Sequence, residues 1–462
     1  MSINVAQAVA AGAGPVVSPL LTAPLLPTLV RLSLPNMLAM AASALVAVAE
    51  TAYVGQLGTP ALAGLALVFP FVMLMTMMSA GAMGGGVSSA ISRALGAGQE
   101  DRASALALHA TVIGGLAGLV MTMLLLVFGA AMYQVLGGRD AMLGEALAYS
   151  NIVFLGATAT WLTNTLASVL RGSGNMKVPS VMMLLAAAAQ VVLGGGLGLG
   201  LGPFPRLGMA GIAAGQVIAF GGAAVFLLWY LGSGRARVRL SLSGAKLQWE
   251  MFRDILKVGA LACLAPVQTV LTVLILTRLV AKFGTEALAG YGIGSRLEFM
   301  LIPIAFGIGV ACVPMVGMAI GAGDIARARR VAWTGGVLSM LILGGIGVIV
   351  AVFPDLWTRL FSNAPAVLDA TRSYFAWAGP CYGLFGLGLT LYFSSQGAGK
   401  VLGPVLAGTL RLLIVAIGGW WLTAWDAPAW CLFALIGLAM AANGIATALA
   451  VYLVPWGPRR AA

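Results

Sequence analysis

Apolar positions in this chain come in blocks, not stripes. Runs of about twenty residues with hardly a charge among them lie near 34–56, 61–90, 104–130, 145–170, 179–201 and 208–231, and again near 258–281, 287–317, 331–353, 370–395, 404–424 and 429–453. Each is long enough to cross the hydrocarbon core of a bilayer, about 30 Å, as a helix. Strand-like alternation of period two is absent, which argues against a membrane barrel. The pattern predicts an all-α integral membrane protein with twelve transmembrane helices, because in lipid each spanning segment must satisfy its own backbone hydrogen bonds.

Polar stretches divide the chain further. Residues 1–28, rich in Ala and Pro, have no Lys or Arg before Arg31 and so lack the basic region of a signal peptide; a flexible tail is expected. An amino-terminal six-helix bundle over 29–231 and a carboxy-terminal one over 258–453 are expected, joined by a basic linker, 232–257, and followed by a short tail, 454–462. Within the linker, "LQWEMFRDILK" has the pattern of an amphipathic helix lying on a membrane surface.

Composition agrees with lipid as the solvent: 61% hydrophobic, 8% charged and a mean hydropathy of +1.02. That is about a third of the charge of a soluble domain. The formal charge of +12 would suggest nucleic acid in a soluble protein. Here it follows from loop charge: with the amino terminus in the cytoplasm, 17 of the 25 Lys and Arg fall on inner segments, five on outer ones and three (Arg278, Arg296, Arg411) within spans. This asymmetry places both termini in the cytoplasm. Cys263, Cys312, Cys381 and Cys431 sit in apolar segments without C-x-x-C spacing and read as buried small side chains.

The halves repeat each other. "GTPALAGLA" at 58–66 returns as "GTEALAGYG" at 284–292, "RALGAGQEDRA" at 93–103 as "MAIGAGDIARA" at 318–328, and "RGSGNMKVP" at 171–179 as "QGAGKVLGP" at 396–404. The offsets are 226, 225 and 225 residues. Six crossings return the chain to its starting side, so the halves share one orientation and are related by an axis along the membrane normal. Two such bundles around a cleft are what alternating access requires.

Several ordered motifs carry a resemblance: "ETAYVGQLGTPALAG" in span 1, "RALGAG" after span 2, "LRGSGNMKVP" after span 4, "PFPRLGMAG" before span 6 and "RLEFMLIPIAFGIG" in span 8. From about residue 30 to 453 the chain resembles the multidrug and toxic compound extrusion (MATE) family. The resemblance implies a multi-pass antiporter of the bacterial inner membrane, working as a monomer. It would export bulky, often cationic or amphipathic drug-like compounds in exchange for H+ or Na+, with no enzymatic activity, cofactor or nucleic-acid partner. A lipid-linked glycan flippase of the same superfamily is the nearest alternative; a membrane-embedded enzyme is more distant, since no H-E-x-x-H or G-x-S-x-G motif is present.

Glu50 is the residue that most needs explaining. It lies inside span 1, eight residues or roughly 12 Å from the outer end at about 1.5 Å per residue, where an ionised carboxylate is costly and by default functional. The family has an acid at this place, so Glu50 is the expected cation-coupling group, with Asn164, Gln190 and Gln216 as neutral partners. Some members carry a second carboxylate in span 5; this chain has Gln190 and Gly194 there. One acid among amides favours H+ over Na+, although Na+ near Glu50 remains open and no resident metal is expected. Thr269 and Phe385 stand where another branch has acids, so cation chemistry is expected in the amino-terminal half alone.

A second acid, Glu298, shares span 8 with Arg296. At two residues apart on a helix they point about 200° from each other and cannot pair together. A structural ion pair with other partners, or a substrate-facing role, are the two readings. Arg278 is expected to snorkel outward, and His109 to be structural in preference to a proton-path role. "SQGAGK" lacks the residues of a P-loop.

Overall fold

The computed structural model describes residues 19–240, 246–425 and 427–457. Among these, the regular structure is helical throughout. Ten helices are individually long and apolar enough to cross a membrane: Leu25–Leu57, Thr59–Gly96, Glu100–Val135, Lys177–Leu199, Met209–Gly232, Trp249–Ala281, Thr285–Gly321, Ile325–Val352, Leu402–Ala424 and Ala429–Leu453. Span 4 is an eleventh crossing made of Asp140–Leu155 and Ala157–Gly172, bent by 46° at Gly156. Span 10 completes the twelve: Pro365–Ala378 and Tyr382–Gly397 meet at a tight turn, Gly379–Cys381. Pro380 in that turn has no amide hydrogen to continue the helix. Gly156 and Cys381 are separated by the repeat offset, so the α-helix of both spans is interrupted at the same step of its bundle.

The expected surface helix in the linker is not separate. "WEMFRDILK" forms the opening turns of span 7, which runs from Trp249 to Ala281 with only a slight break at Cys263. No Gly or Pro interrupts residues 249–258, and the apolar face is occupied: Ile255 and Val258 are buried, and Gly259 meets Gly86 of span 2 backbone to backbone. The boundary drawn at 257 therefore falls inside a helix. The expectation of a tail over residues 1–18 lies outside the described residues; Pro19–Thr22 is already helical and span 1 starts at Leu25.

The sequence echoes reappear as geometry. Gly58 and Gly284 have φ of 117° and 103°, Gly98 and Gly323 of 73° and 80°, Gly174 and Gly399 of 88° and 71°. These left-handed conformations, cheap only for glycine, end helices at matching places in both bundles. Span 9 adds a side-chain cap: Asp324 accepts a 2.8 Å hydrogen bond from the Arg327 backbone.

Between bundles the closest backbone approaches lie toward the face that carries the basic linker. A Cβ on Gly96 would stand 2.1 Å from the Met318 carbonyl oxygen, and one on Gly321 the same distance from that of Arg93. Residues 93 and 318, like 96 and 321, are repeat equivalents, so the contact is reciprocal. Ser89 donates to the Gln396 carbonyl beside it, and the Arg93 guanidinium donates to Ser89 Oγ at 2.5 Å. At the surface, Arg102 at the start of span 3 pairs with Asp254 and Glu250 at the start of span 7. These contacts close this face.

Candidate functional site

Span 1 brings Glu50 into its own bundle, where Gln190 Nε2 of span 5 donates to Glu50 Oε1 at 2.7 Å. Tyr149, fully buried on span 4, is close enough to interact electrostatically with Glu50 and donates its hydroxyl to Gln216 Oε1 of span 6 at 3.3 Å. A chain Gln190–Glu50–Tyr149–Gln216 thus joins four spans at one depth, each member seven to ten residues from the helix end on the side away from the basic linker. Three of the four residues singled out from the sequence are gathered there. Asn164 is not: it lies fifteen residues beyond Tyr149 along span 4, about 20 Å at 1.5 Å per residue. Its Nδ2 donates to Ser79 Oγ at 2.8 Å, within the π-helical stretch Met77–Met83 of span 2.

Glu298 belongs to a different environment. It lines an apolar cavity of about 170 Å³ built mainly from spans 7, 8, 10, 11 and 12, with Met77, Gly81 and Ala82 of span 2 forming its wall on the other bundle. The Tyr374 hydroxyl donates to its carboxylate. Arg411 of span 11 lines the same cavity and interacts electrostatically with Glu298, yet among the described residues no ion pair includes either side chain. Arg296, the other candidate for an ion pair, is exposed and lies over the Phe361 ring, 5.3 Å from its centroid. Its helix face turns it away from the cavity, so the charged neighbour of Glu298 is Arg411.

Arg278 is exposed near the end of span 7 that lies away from the basic linker. His109 spends both ring nitrogens on structure. Nδ1 contacts the Ala105 carbonyl at 2.7 Å, Nε2 accepts from the Gln248 amide at 2.8 Å, and Phe252 packs edge-on against the ring. Among the described residues no group of three His, Cys, Asp or Glu side chains could hold a metal ion; the four cysteines are free.

Tyr149 and Tyr374 were not among the residues expected from the sequence. The signal was present: they are 225 residues apart, the repeat offset, in the two interrupted spans. Each is fully buried and offers its hydroxyl to a polar side chain of its own bundle.

Comparison with known proteins bears on the family and the two-bundle fold. The MatE family model matches twice, at residues 35–194 and 262–421, displaced by nearly the offset of the sequence echoes. An FAD transporter of Shewanella oneidensis is 25% identical over 402 residues, covering 86% of this chain and 88% of its own. A probable multidrug resistance protein, NorM, of Thermotoga maritima is 25% identical over 380 residues, 82% of this chain and 81% of its own. Among solved structures, a MOP superfamily transporter from Pyrococcus furiosus, described as having a binding pocket of reversed polarity, superposes with a TM-score of 0.86 at 21% identity, covering 94% of this chain and 97% of its own. A multidrug resistance MATE family transporter in an outward-facing conformation gives 0.84 at 22% identity, covering 94% and 96%. With one family model matched in each half and the twelve-helix, two-lobed architecture in common, this chain belongs to the MatE family of multi-pass membrane transporters.

Proposed function

We propose that this protein is an H+-coupled exporter of amphipathic small molecules, working by alternating access in a bacterial inner membrane with both termini cytoplasmic. The observation that carries the reading is Glu50. It is a carboxylate within span 1 whose hydrogen-bond partner is a neutral amide, with a tyrosine beside it and, among the described residues, no cation paired with it. Such a group can hold a proton in one state of the cycle and release it in another, because the low-dielectric surroundings make its charge sensitive to every rearrangement of its neighbours.

Na+ prefers several oxygen ligands. Here Gln190 turns its NH2 toward Glu50, and the Gln216 oxygen accepts from Tyr149, so the carboxylate is the main oxygen donor. That supports H+ over Na+. Relatives named as multidrug proteins and one named as an FAD transporter support export of small organic molecules and leave the compound open. One chain contains both moving halves, which supports a monomer as the working unit, and a family of transporters supports a role without catalysis.

The direct test is transport in proteoliposomes with an imposed gradient. A pH gradient is expected to drive uphill accumulation of fluorescent amphipathic compounds; an Na+ gradient at equal pH is expected to drive little. The reverse pattern would overturn H+ coupling. Orientation is checked separately: with Cys263, Cys312, Cys381 and Cys431 replaced by Ala, a cysteine placed at Ser233 should react with a membrane-impermeant maleimide only after cells are opened, and labelling of intact cells would invert the topology.

A further inference from the structure

Arg171, near the end of span 4, is 7% exposed and has no counter-charge. Its Nε donates to the Ala167 carbonyl one turn back, and among the described residues no carboxylate pairs with it. The helix ends at Gly172, and a helix C-terminus carries about half a negative charge, which offsets only part of a full positive one. A buried cation left in this state is costly. The fold does not demand one: the repeat equivalent of Arg171 is Gln396, a neutral side chain at the matching end of span 10.

Arg171 lines a small cavity in the seam between the bundles. Ser88, Ser168 and Arg171 lie on one side, Val310, Val313 and Phe393 of the other bundle on the opposite side. Ser88 and Val313 are 225 residues apart, as are Ser168 and Phe393, so the cavity straddles the axis that relates the halves. One half supplies polar groups and the other only apolar wall. Ser88 Oγ, in a side chain 4% exposed, has no hydrogen-bond partner among the described residues. Ser168 Oγ already donates its hydrogen to the Asn164 carbonyl. The donors left are therefore the Ser88 hydroxyl and the terminal nitrogens of Arg171. What they lack is an acceptor, and what the guanidinium lacks is a negative charge. The volume, about 10 Å³, is room for a single water-sized guest.

We propose that this cavity binds one halide ion, chloride in the cell, held by the Arg171 guanidinium and the Ser88 hydroxyl. A water there would satisfy Ser88 and leave the cation unpaired; sulfate and phosphate are too large. Half of the wall belongs to the other bundle, so parting the bundles dismantles the site, and the ion favours the state closed on the linker face. The site involves neither Glu50 nor Glu298 and depends on no assumption about the coupling ion or the exported compound.

The test uses purified full-length protein in detergent, with sodium chloride replacing sodium gluconate at constant ionic strength. Thermal unfolding, followed by tryptophan fluorescence, should shift upward and saturate with chloride. Crystals grown in bromide should give an anomalous peak between Arg171 and Ser88. Ser88→Ala should weaken the apparent chloride affinity about tenfold, the scale of one hydrogen bond to a charged group. Arg171→Gln should remove the chloride response, and Arg171→Lys, which keeps the charge, should retain part of it. With spin labels replacing Arg102 and Glu250, which face each other across the halves, chloride should raise the short-distance population, and the same labels in Arg171→Gln should not respond. Absence of a saturable shift in the unaltered protein, an equal shift in Arg171→Gln, or bromide found only elsewhere would overturn the site. Should Arg171→Gln fail to fold, an unchanged affinity in Ser88→Ala overturns it alone. Chloride binding without any change in label distance would overturn the link to closure.

Discussion

Glu50→Gln protein is expected to reach the membrane, fold and bind substrate, and to lose uphill transport driven by a pH gradient to the level of empty liposomes. The amide has nearly the shape of the acid and can still present an oxygen to Gln190 Nε2, so the hydrogen bond seen at 2.7 Å has a counterpart in the variant. The stability change should be about 1 kcal/mol or less, the worth of a single altered hydrogen bond. What disappears is the exchangeable proton. Substrate affinity, measured from pH 5 to 9, should vary less with pH than in the unaltered protein. Glu298→Gln in the same assay should still couple transport to the gradient. Uphill transport by Glu50→Gln at the normal rate would remove this residue from the mechanism.

The second large effect concerns closure of the basic face. Gly96→Ala places a methyl 2.1 Å from a carbonyl oxygen of span 8, and Gly321→Ala does the same toward span 2. The obstacle is backbone in each case, so no side chain can swing aside. Overpacking of this kind costs about 1–3 kcal/mol, and because the clash lies between the bundles, separating them relieves it. An equilibrium shift of about 5- to 150-fold toward the state open on that face follows. Spin labels replacing Arg102 and Glu250, which face each other across the halves, should report longer distances in both variants, with transport reduced. Gly115→Ala, where an added Cβ meets nothing within 4 Å, is the control. Unchanged distances with normal transport in Gly96→Ala would show that the contact is not part of closure.

The fold was legible because membrane-length apolar blocks and a repeat offset are strong, long-range signals. Glu50 was legible for a related reason: a charge stands out in an uncharged helix. Its pairing with Gln190 followed from the family pattern, whereas the link to Gln216 passes through Tyr149, and a tyrosine in an apolar segment is not conspicuous. Asn164 was misplaced because the order of spans says which helices are neighbours but not at what depth two residues sit. In the sequence Arg411 is one of three cations within spans, and only packing shows that it shares a cavity with Glu298. The π-helical stretches have no sequence signature, since they arise from how neighbouring helices press on an otherwise regular segment.

The reciprocal contact of Gly96 with the Met318 carbonyl and Gly321 with that of Arg93 has the form of an isologous dimer interface, in which each partner offers the same patch. A single six-span chain could make this interface with a second copy of itself lying parallel in the membrane. Joining two copies end to end replaces a concentration-dependent encounter with a fixed local one. It also frees the two sequences to diverge. One copy keeps a tyrosine beside Glu50; in the other the equivalent tyrosine holds an acid in a cavity that a cation from span 11 also lines. Both acids then share one seam, because neither copy can part at the glycine contact without the other.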